Sequence, residues 1–199
     1  IVGPSGCGKS TLLSLLSGLL EPEEGAIYIE DTPLKEASTG IGYMLQRDHL
    51  FEWRTIRENA ALGLEIQHQK TREAMQELDE MLRNYGLAAF ASARPSELSG
   101  GMRQRAALIR TLILKPDLLL LDEPFSALDP MTRSELQNEI HALQKKTGKT
   151  IIFVTHDMDE AIKLADRICI IQSGHIVQCD TPENILKHPA NQYVSTFIG

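Results

Sequence analysis

The residues at the start of the chain have the types and spacing of a phosphate-binding loop. The segment Gly3-Pro4-Ser5-Gly6-Cys7-Gly8-Lys9-Ser10, followed by Thr11, fits the pattern G-x-x-x-x-G-K-[ST]. In such a loop the glycines let backbone N–H groups point at an anion, the lysine reaches the β- and γ-phosphates, and the hydroxyl contacts Mg²⁺. A chance glycine turn is the alternative, but a strand-like start and a helical pattern afterwards provide the context that the motif requires. We therefore predict that residues 3–11 bind nucleotide phosphates.

Two acidic residues end an apolar run in the second half of the chain. Leu118 to Leu121 are typical of a buried strand, and Asp122 and Glu123 follow directly. In phosphate-loop proteins a strand-end Asp holds Mg²⁺, and a second carboxylate beside it can act as a general base on water. Taken alone, the segment fits a core strand that enters an acidic turn. Together with the loop at 3–11, it predicts a Mg²⁺ ligand at Asp122 and a base at Glu123.

A third segment could also bind an anion. Ser99, Gly100 and Gly101 precede a helical pattern, and a Ser followed by two glycines at a helix N-terminus presents free N–H groups. An ordinary N-cap at Ser99 fits the same residues equally well.

The elements around these segments alternate between strand and helix patterns. Helical spacing and turn residues predict helices at about 9–19, 70–85, 101–114, 130–146 and 158–165, and strands at 26–29, 41–45, 117–121 and 150–155. A capping box at Thr55 to Glu58 predicts a further helix from Ile56. Near the end of the chain, the pattern predicts a hairpin of strands 167–172 and 175–178. A short helix that begins at Thr181-Pro182 is predicted to follow it. The fold class is therefore α/β, with a parallel sheet and an inserted all-helical stretch over roughly 53–93.

Composition excludes several classes of protein. The 199 residues carry 20 Lys and Arg against 27 Asp and Glu, and no apolar run approaches the roughly 20 residues of a membrane span. The formal net charge of −7 disfavours a protein that coats nucleic acid. The three cysteines have no metal-type spacing, which favours a reducing compartment over a zinc site. Since the chain starts at Ile1 and enters the glycine motif at once, we expect a segment upstream of it.

Taken together, these motifs resemble the nucleotide-binding subunit of an ABC transporter. Six family motifs occur in the family's order: the phosphate-binding loop, a Q-loop glutamine at Gln46, the signature at 98–102, the acids at 122–123, the D-loop at 126–129 and a switch histidine at His156. The resemblance implies one cassette over 1–199, with a P-loop NTPase core of mostly parallel sheet (1–50 and 101–199) and a helical subdomain at roughly 53–100. It also implies that further N-terminal strands and an adenine-stacking aromatic residue precede Ile1.

The resemblance further implies a site shared between two chains. In this family two cassettes dimerise head to tail, as a homodimer or a heterodimer, so ATP on one chain faces Ser99, Gly100 and Gly101 of the other. The resemblance implies three catalytic residues: Glu123 for water activation, His156 for contact with the γ-phosphate, and Gln46 for sensing Mg²⁺ and water. Asp129 would communicate across the interface. Mg²⁺ would be held by Ser10, Gln46 and Asp122.

Among cassettes, this sequence looks most like an importer subunit. It shows no long coiled coil between Gln46 and Ser99, no second cassette and no fused membrane spans. The resemblance implies permease subunits that dock near Gln46 to Trp53, indirect contact with an extracytoplasmic solute-binding protein, no nucleic-acid partner, and a peripheral location at the cytoplasmic face of the membrane. Trp53 is predicted to lie in the docking surface, with a core position as the alternative.

Two segments point to different solutes. Residues 50–56 resemble the nitrate, sulfonate and taurine importers, and residues 180–191 resemble the glycine betaine importers. We rank small anions first and quaternary amines second. A non-transport ATPase that clamps nucleic acid or protein is the alternative function.

Overall fold

A computed structural model describes residues 1–37, 40–126 and 128–199, which form two compact units. The first comprises residues 1–37, 120–123 and 151–199, and the second comprises 40–119, 124–126 and 128–150. Within these described ranges, no helix combines the length and apolar character needed to cross a membrane. The division into a core over 1–50 and 101–199 and a helical subdomain over roughly 53–100 stays a prediction.

Helices and strands alternate along most of the chain. The helices are α1 (Lys9–Leu16), α2 (Ile56–Ala60), α3 (Leu62–Ile66), α4 (Arg72–Asn84), α5 (Gly100–Leu112), α6 (Pro130–Thr147), α7 (Met158–Leu164), α8 (Pro182–Lys187) and α9 (Gln192–Ile198). The strands are β1 (Tyr28–Ile29), β2 (Thr32–Pro33), β3 (Ile41–Met44), β4 (Leu118–Asp122), β5 (Thr150–Val154), β6 (Ile168–Gln172) and β7 (His175–Asp180). The α/β class with parallel strand pairing is confirmed.

In the first unit the chain start lies between two later strands. Val2 forms parallel bridges with Thr155, just after β5, and with Ile170 of β6. The β6–β7 pair is antiparallel and turns at Ser173 and Gly174, whose φ angles of 47° and 79° suit a two-residue type I′ turn. Val2 is completely buried in an apolar core with residues of β6, α7, α8 and α9: Met158, Ala161, Ile168, Ile170, Ile185 and Val194.

In the second unit α5 is the central helix. It packs against α2, α3, α4, α6 and β3, and Ala106 to Ile109 on it are completely buried. Strand β4 is divided between the two units: Leu118 and Leu119 belong to the second unit, and Leu120 to Asp122 belong to the first.

The sequence predictions differ from the structure at the end of the first helix, and they missed two short elements, β2 and α9. The first helix ends at Leu16 rather than Leu19, because Gly18 adopts φ 75° and the N–H groups of Leu19 and Leu20 both donate to Ser14 O.

Candidate functional site

The loop at 3–11 presents unpaired backbone donors at the start of α1. Gly8 is the N-cap of α1 with φ 102°, and Gly6 has φ 79°. Within the described chain, no group accepts a hydrogen bond from the N–H of Lys9, Ser10 or Thr11. Free N–H groups at the positive end of a helix bind anions. The loop therefore fits a phosphate group.

Lys9 contributes the positive charge of this loop. The side chain is only 5% exposed, and Nζ donates to Gly3 O at 2.8 Å and Pro4 O at 3.0 Å. These two carbonyls hold the ammonium over the loop. Gly3 has no room for a side chain, because a Cβ there would lie 2.5 Å from Ile171 O and 2.7 Å from Cys7 Sγ.

An oxygen-rich group lies where α1 meets the end of β4. Ser10 Oγ donates to Asp122 Oδ1 at 3.0 Å, and Asp122 is buried. In the described part of the chain, no three His, Cys, Asp or Glu side chains are grouped to hold a metal ion. Mg²⁺ in nucleotide sites is held by one or two carboxylates together with substrate phosphates. The hydroxyl and carboxylate therefore fit Mg²⁺ bound together with a nucleotide.

Glu123 has a strained backbone and lies between the side chains of Lys9 and His156. Its φ is 44°, a left-handed conformation that costs a non-glycine residue about 1–3 kcal/mol and occurs at functional sites. Its N–H donates to Val154 O at 3.1 Å. Glu123 Oε1 lies 3.8 Å from Lys9 Nζ and 3.4 Å from His156 Nδ1. The structure thus brings together three of the residues predicted to act on phosphate.

The turn that carries His156 is anchored by a buried acid that sequence analysis missed. Thr155 Oγ1 donates to Glu160 Oε2 at 2.6 Å, and both residues are buried. Asp157 caps α7 by accepting from the N–H groups of Asp159 and Glu160. The spacing of Asp157 and Glu160 resembles a capping box, which could have predicted the helix start but not the bond to Thr155.

The predicted signature and D-loop residues lie in the second unit as helix caps. Ser99 Oγ accepts from Met102 N at 3.4 Å at the start of α5, with Gly100 and Gly101 in the first turn. A Cβ at Gly101 would lie 2.5 Å from Thr132 Cγ2. Asp129 caps α6, and the hydrogen bond with Thr132 lowers the pKa of its carboxyl. Ala127 of the predicted D-loop lies outside the described residues.

Gln46 also belongs to the second unit, just after β3, in a segment fixed to α5. Asp48 accepts from Arg103 Nε at 3.0 Å, and Arg110 donates to the backbone oxygens of Asp48 and His49 at 2.7 and 2.8 Å. Two arginines of one helix therefore hold the bend that follows Gln46.

The segment after this bend presents an aromatic pair. Trp53 is 70% exposed and stacks on Phe51 with ring centroids 4.7 Å apart, so the alternative that Trp53 is a core residue is wrong. Buried Asn59 fixes the segment by accepting from Phe51 N and donating to the backbone oxygens of Phe51, Arg54 and Thr55. Sequence analysis missed this role, since a polar residue inside a short helix carries no signal of its own.

Fold and site together define the class of protein: the chain belongs to the ABC transporter family, whose model matches residues 1–126. The family predicted from the six motifs is thereby confirmed. A model described as an AAA domain, putative AbiEii toxin, Type IV TA system, matches residues 91–162.

Among curated proteins, two relatives illustrate the match. The chain is 47% identical over 204 residues to the carnitine transport ATP-binding protein OpuCA of Listeria monocytogenes, covering 100% of this chain and 51% of that protein. It is 44% identical over 207 residues to the glycine betaine/proline betaine transport system ATP-binding protein ProV of Salmonella typhimurium, covering 100% and 52%. The chain thus spans about half the length of the curated relatives it matches.

Two solved structures share the fold. The dimeric post-hydrolysis state of the ATP-binding cassette MJ0796, bound to ADP and Pi, superposes with a TM-score of 0.81 at 31% identity, over 91% of this chain and 83% of that chain. The structure of cbiO1 from Clostridium perfringens, part of the ABC transporter complex cbiONQ, gives a TM-score of 0.82 at 27% identity, over 95% and 78%.

Proposed function

We propose that this chain binds and hydrolyses ATP to drive an ABC importer. The observation that carries the proposal is the convergence of Lys9, Glu123 and His156 beside the free N–H groups at the start of α1. A phosphate in this loop would gain the helix dipole, the backbone donors and one buried ammonium at the same time.

Each residue around the bound phosphate has a chemical role in this proposal. Glu123 is the general base that accepts a proton from the attacking water, and His156 contacts the γ-phosphate. Residues 3–11 and Lys9 in particular stabilise the charge on the transferred group. Mg²⁺, held by Ser10 and Asp122 with Gln46 as a further ligand, would neutralise phosphate charge.

The proposal includes a dimer with two shared sites. Ser99, Gly100 and Gly101 of one chain would cover the nucleotide of another, and Asp129 would lie at the interface. The N-terminus of α5 supports this role because its first turn is glycine-rich. The matched cassette MJ0796 is described as dimeric in its state with ADP and Pi.

For the solute, the relatives favour a quaternary amine. The printed names of the relatives specify carnitine, glycine betaine, proline betaine and choline. They give no support to the nitrate or sulfonate class that the segment at 50–56 led us to rank first. We therefore propose a quaternary-amine osmolyte, as residues 180–191 indicated.

Permease subunits are the proposed membrane partners. The half-buried Phe51 and the exposed Trp53, held by Asn59, would anchor the docking surface near Gln46. The chain would thus sit at the cytoplasmic face of the membrane, with an extracytoplasmic solute-binding protein delivering solute to the permease.

The variant Glu123→Gln tests the hydrolytic role. In the assembled transporter it should lower the ATP turnover rate by about 10²–10⁴-fold, the range for loss of a general base, while ATP binding stays intact. Glu24→Gln, which changes an exposed acid in the same unit, is the matched control. An unchanged turnover rate for Glu123→Gln would remove this residue from the role of base.

Co-purification separates transport from the alternative of a nucleic-acid or protein clamp. The full-length protein should bring down a membrane protein with several spans, and the intact assembly should bind a radiolabelled quaternary amine such as glycine betaine. Recovery of nucleic acid in place of a membrane protein would favour the clamp.

A further inference from the structure

Two cysteines lie directly opposite each other on the β6–β7 hairpin. Cys169 of β6 pairs in register with Cys179 of β7. Both are free thiols, with Cys169 half-buried and Cys179 exposed to solvent. Nothing in the proposed ATPase chemistry uses either of them.

The hydrogen bonds of β6 define the kind of pair that these cysteines form. Val2 N donates to Cys169 O at 2.8 Å, and Ile171 N donates to Val2 O at 2.8 Å. The backbone N–H and C=O of one strand residue face the same edge of the strand. Both backbone groups of Cys169 therefore point toward Val2 and away from β7. Cys169 and Cys179 consequently form a non-hydrogen-bonded antiparallel pair.

That pair type has the spacing that a disulfide needs. In non-hydrogen-bonded pairs the Cα atoms lie about 4.5 Å apart and the side chains are closer than in the other pair type. Disulfides join Cα atoms about 4.4–6.8 Å apart. The backbone therefore has no need to move for a bond between the two sulfurs.

We propose that Cys169 and Cys179 are a redox modification site, which closes to an intramolecular disulfide in the folded protein by exchange with a small disulfide. Cys179 is the thiol that reacts first, since it is exposed and lies beside the Arg167 guanidinium, with Nη2 3.9 Å from Sγ. Burial raises the pKa of the Cys169 thiol to about 11, which suits it to the second step, after its neighbour has been activated.

The exchange balances in two steps. The Cys179 thiolate attacks one sulfur of the small disulfide, forms a mixed disulfide and releases one small thiolate. The Cys169 thiolate then attacks Cys179 Sγ, forms the bond between the strands and releases the second small thiolate. Two electrons pass to the small disulfide, which is reduced to two thiols, and the protons of the two cysteines pass to solvent or to those thiols.

The hairpin that would be cross-linked also supports the phosphate-binding loop. Gly174 N, at its turn, donates to Cys7 O at 3.1 Å, and β6 holds Val2 immediately before the loop. A bond between β6 and β7 would therefore fix the strands on which the start of this loop rests. Because the bond closes a loop of chain that is open in the unfolded state, the oxidised protein should unfold at a higher urea concentration.

The test treats the full native chain with oxidised glutathione and counts free thiols. The three thiols of the reduced chain should fall to one, and peptide mapping should show a peptide pair joined through Cys169 and Cys179. The variant Cys169→Ser should instead keep one glutathione on Cys179, because the second step is lost. Cys7→Ser is the matched control and should form the same bond as the parent chain.

Two results would overturn the proposal. One is stable glutathione on Cys179 of the parent chain with no bond to Cys169, and the other is a bond between two chains through Cys179. If Cys169→Ser fails to fold, the parent chain alone still tests the proposal. It is oxidised in buffer and in urea, and peptide mapping measures how fast the bond between Cys169 and Cys179 forms in each. The bond should form several-fold faster in buffer, because only the folded hairpin places the sulfurs together.

Discussion

The substitution Asn59→Ala should destabilise the segment that carries Phe51 and Trp53. The side chain is completely buried, and its four hydrogen bonds join Phe51 N, Phe51 O, Arg54 O and Thr55 O at 2.7, 3.0, 3.3 and 3.0 Å. Thr55 O and Phe51 O keep a partner after truncation, because they also accept from the backbone N–H groups of Asn59 at 2.9 Å and Arg54 at 3.1 Å. Phe51 N and Arg54 O thus lose their bond, and at about 1 kcal/mol each the free energy of unfolding should fall by about 2 kcal/mol.

Urea unfolding of the full chain measures this loss. With an m-value of about 2 kcal/mol/M, the midpoint should fall by roughly 1 M. Trp53 is the sole tryptophan in the sequence and lies in the affected segment, so its fluorescence should change together with the circular dichroism signal of the helices.

A matched substitution separates the bonds from the loss of an amide. Asn84→Ala removes the same group from an exposed position at the end of α4 and should stay within about 0.5 kcal/mol of the parent. A loss below about 1 kcal/mol for Asn59→Ala, with unchanged Trp53 emission, would refute the idea that Asn59 organises this segment.

Three further outcomes are expected. Thr155→Val removes the hydroxyl that donates to buried Glu160 and should lower the free energy of unfolding by about 1–3 kcal/mol in urea titrations. Thr155→Ser keeps a hydroxyl and should retain most of the stability of the parent chain. Equal losses of stability in the two variants would contradict the role of this bond. The hydrogen bond from Arg54 lowers the pKa of Glu65 from 4.5 to about 2, so the stability from this pair is complete above pH 4.5 and is lost as the pH falls toward 2. In an NMR titration Arg54→Ala should raise the Glu65 pKa; an unchanged value would contradict the assignment. Gly8→Ala should weaken ATP binding, measured by calorimetry, because φ 102° disfavours any L side chain, and full affinity would contradict this account.

Local signals predicted much of the fold. The glycine pattern at 3–11 and the capping box at Thr55 each specify backbone geometry within a few residues, and the structure has the corresponding loop and helix start. Helix ends were predicted less well, because the end of α1 depends on the left-handed conformation of Gly18 and not on the apolar spacing that continues to Leu19.

Contacts between distant residues could not be predicted from spacing. Ser10 and Asp122 are far apart in sequence, and the general pairing of a phosphate-binding loop with a strand-end acid, not their spacing, predicted that they share one site. The bond between Thr155 and Glu160 had no such help, because a buried carboxylate looks like any other acid in the first turn of a helix. Pairs of this kind depend on how elements pack, which local patterns do not encode.

The order in which the first unit is assembled has a consequence for synthesis of the protein. The phosphate-binding loop leaves the ribosome before β5 and β6, yet Val2 pairs with Thr155 and Ile170, which are made much later. Residues 40–150, which contain the described part of the second unit, emerge before β6, the strand that pairs with Val2. Domains fold during synthesis as their chains are completed. The phosphate-binding loop is therefore supported on both sides only late in synthesis. A chain that ends before β6 would contain the intact glycine motif without the strand that holds Val2 beside it.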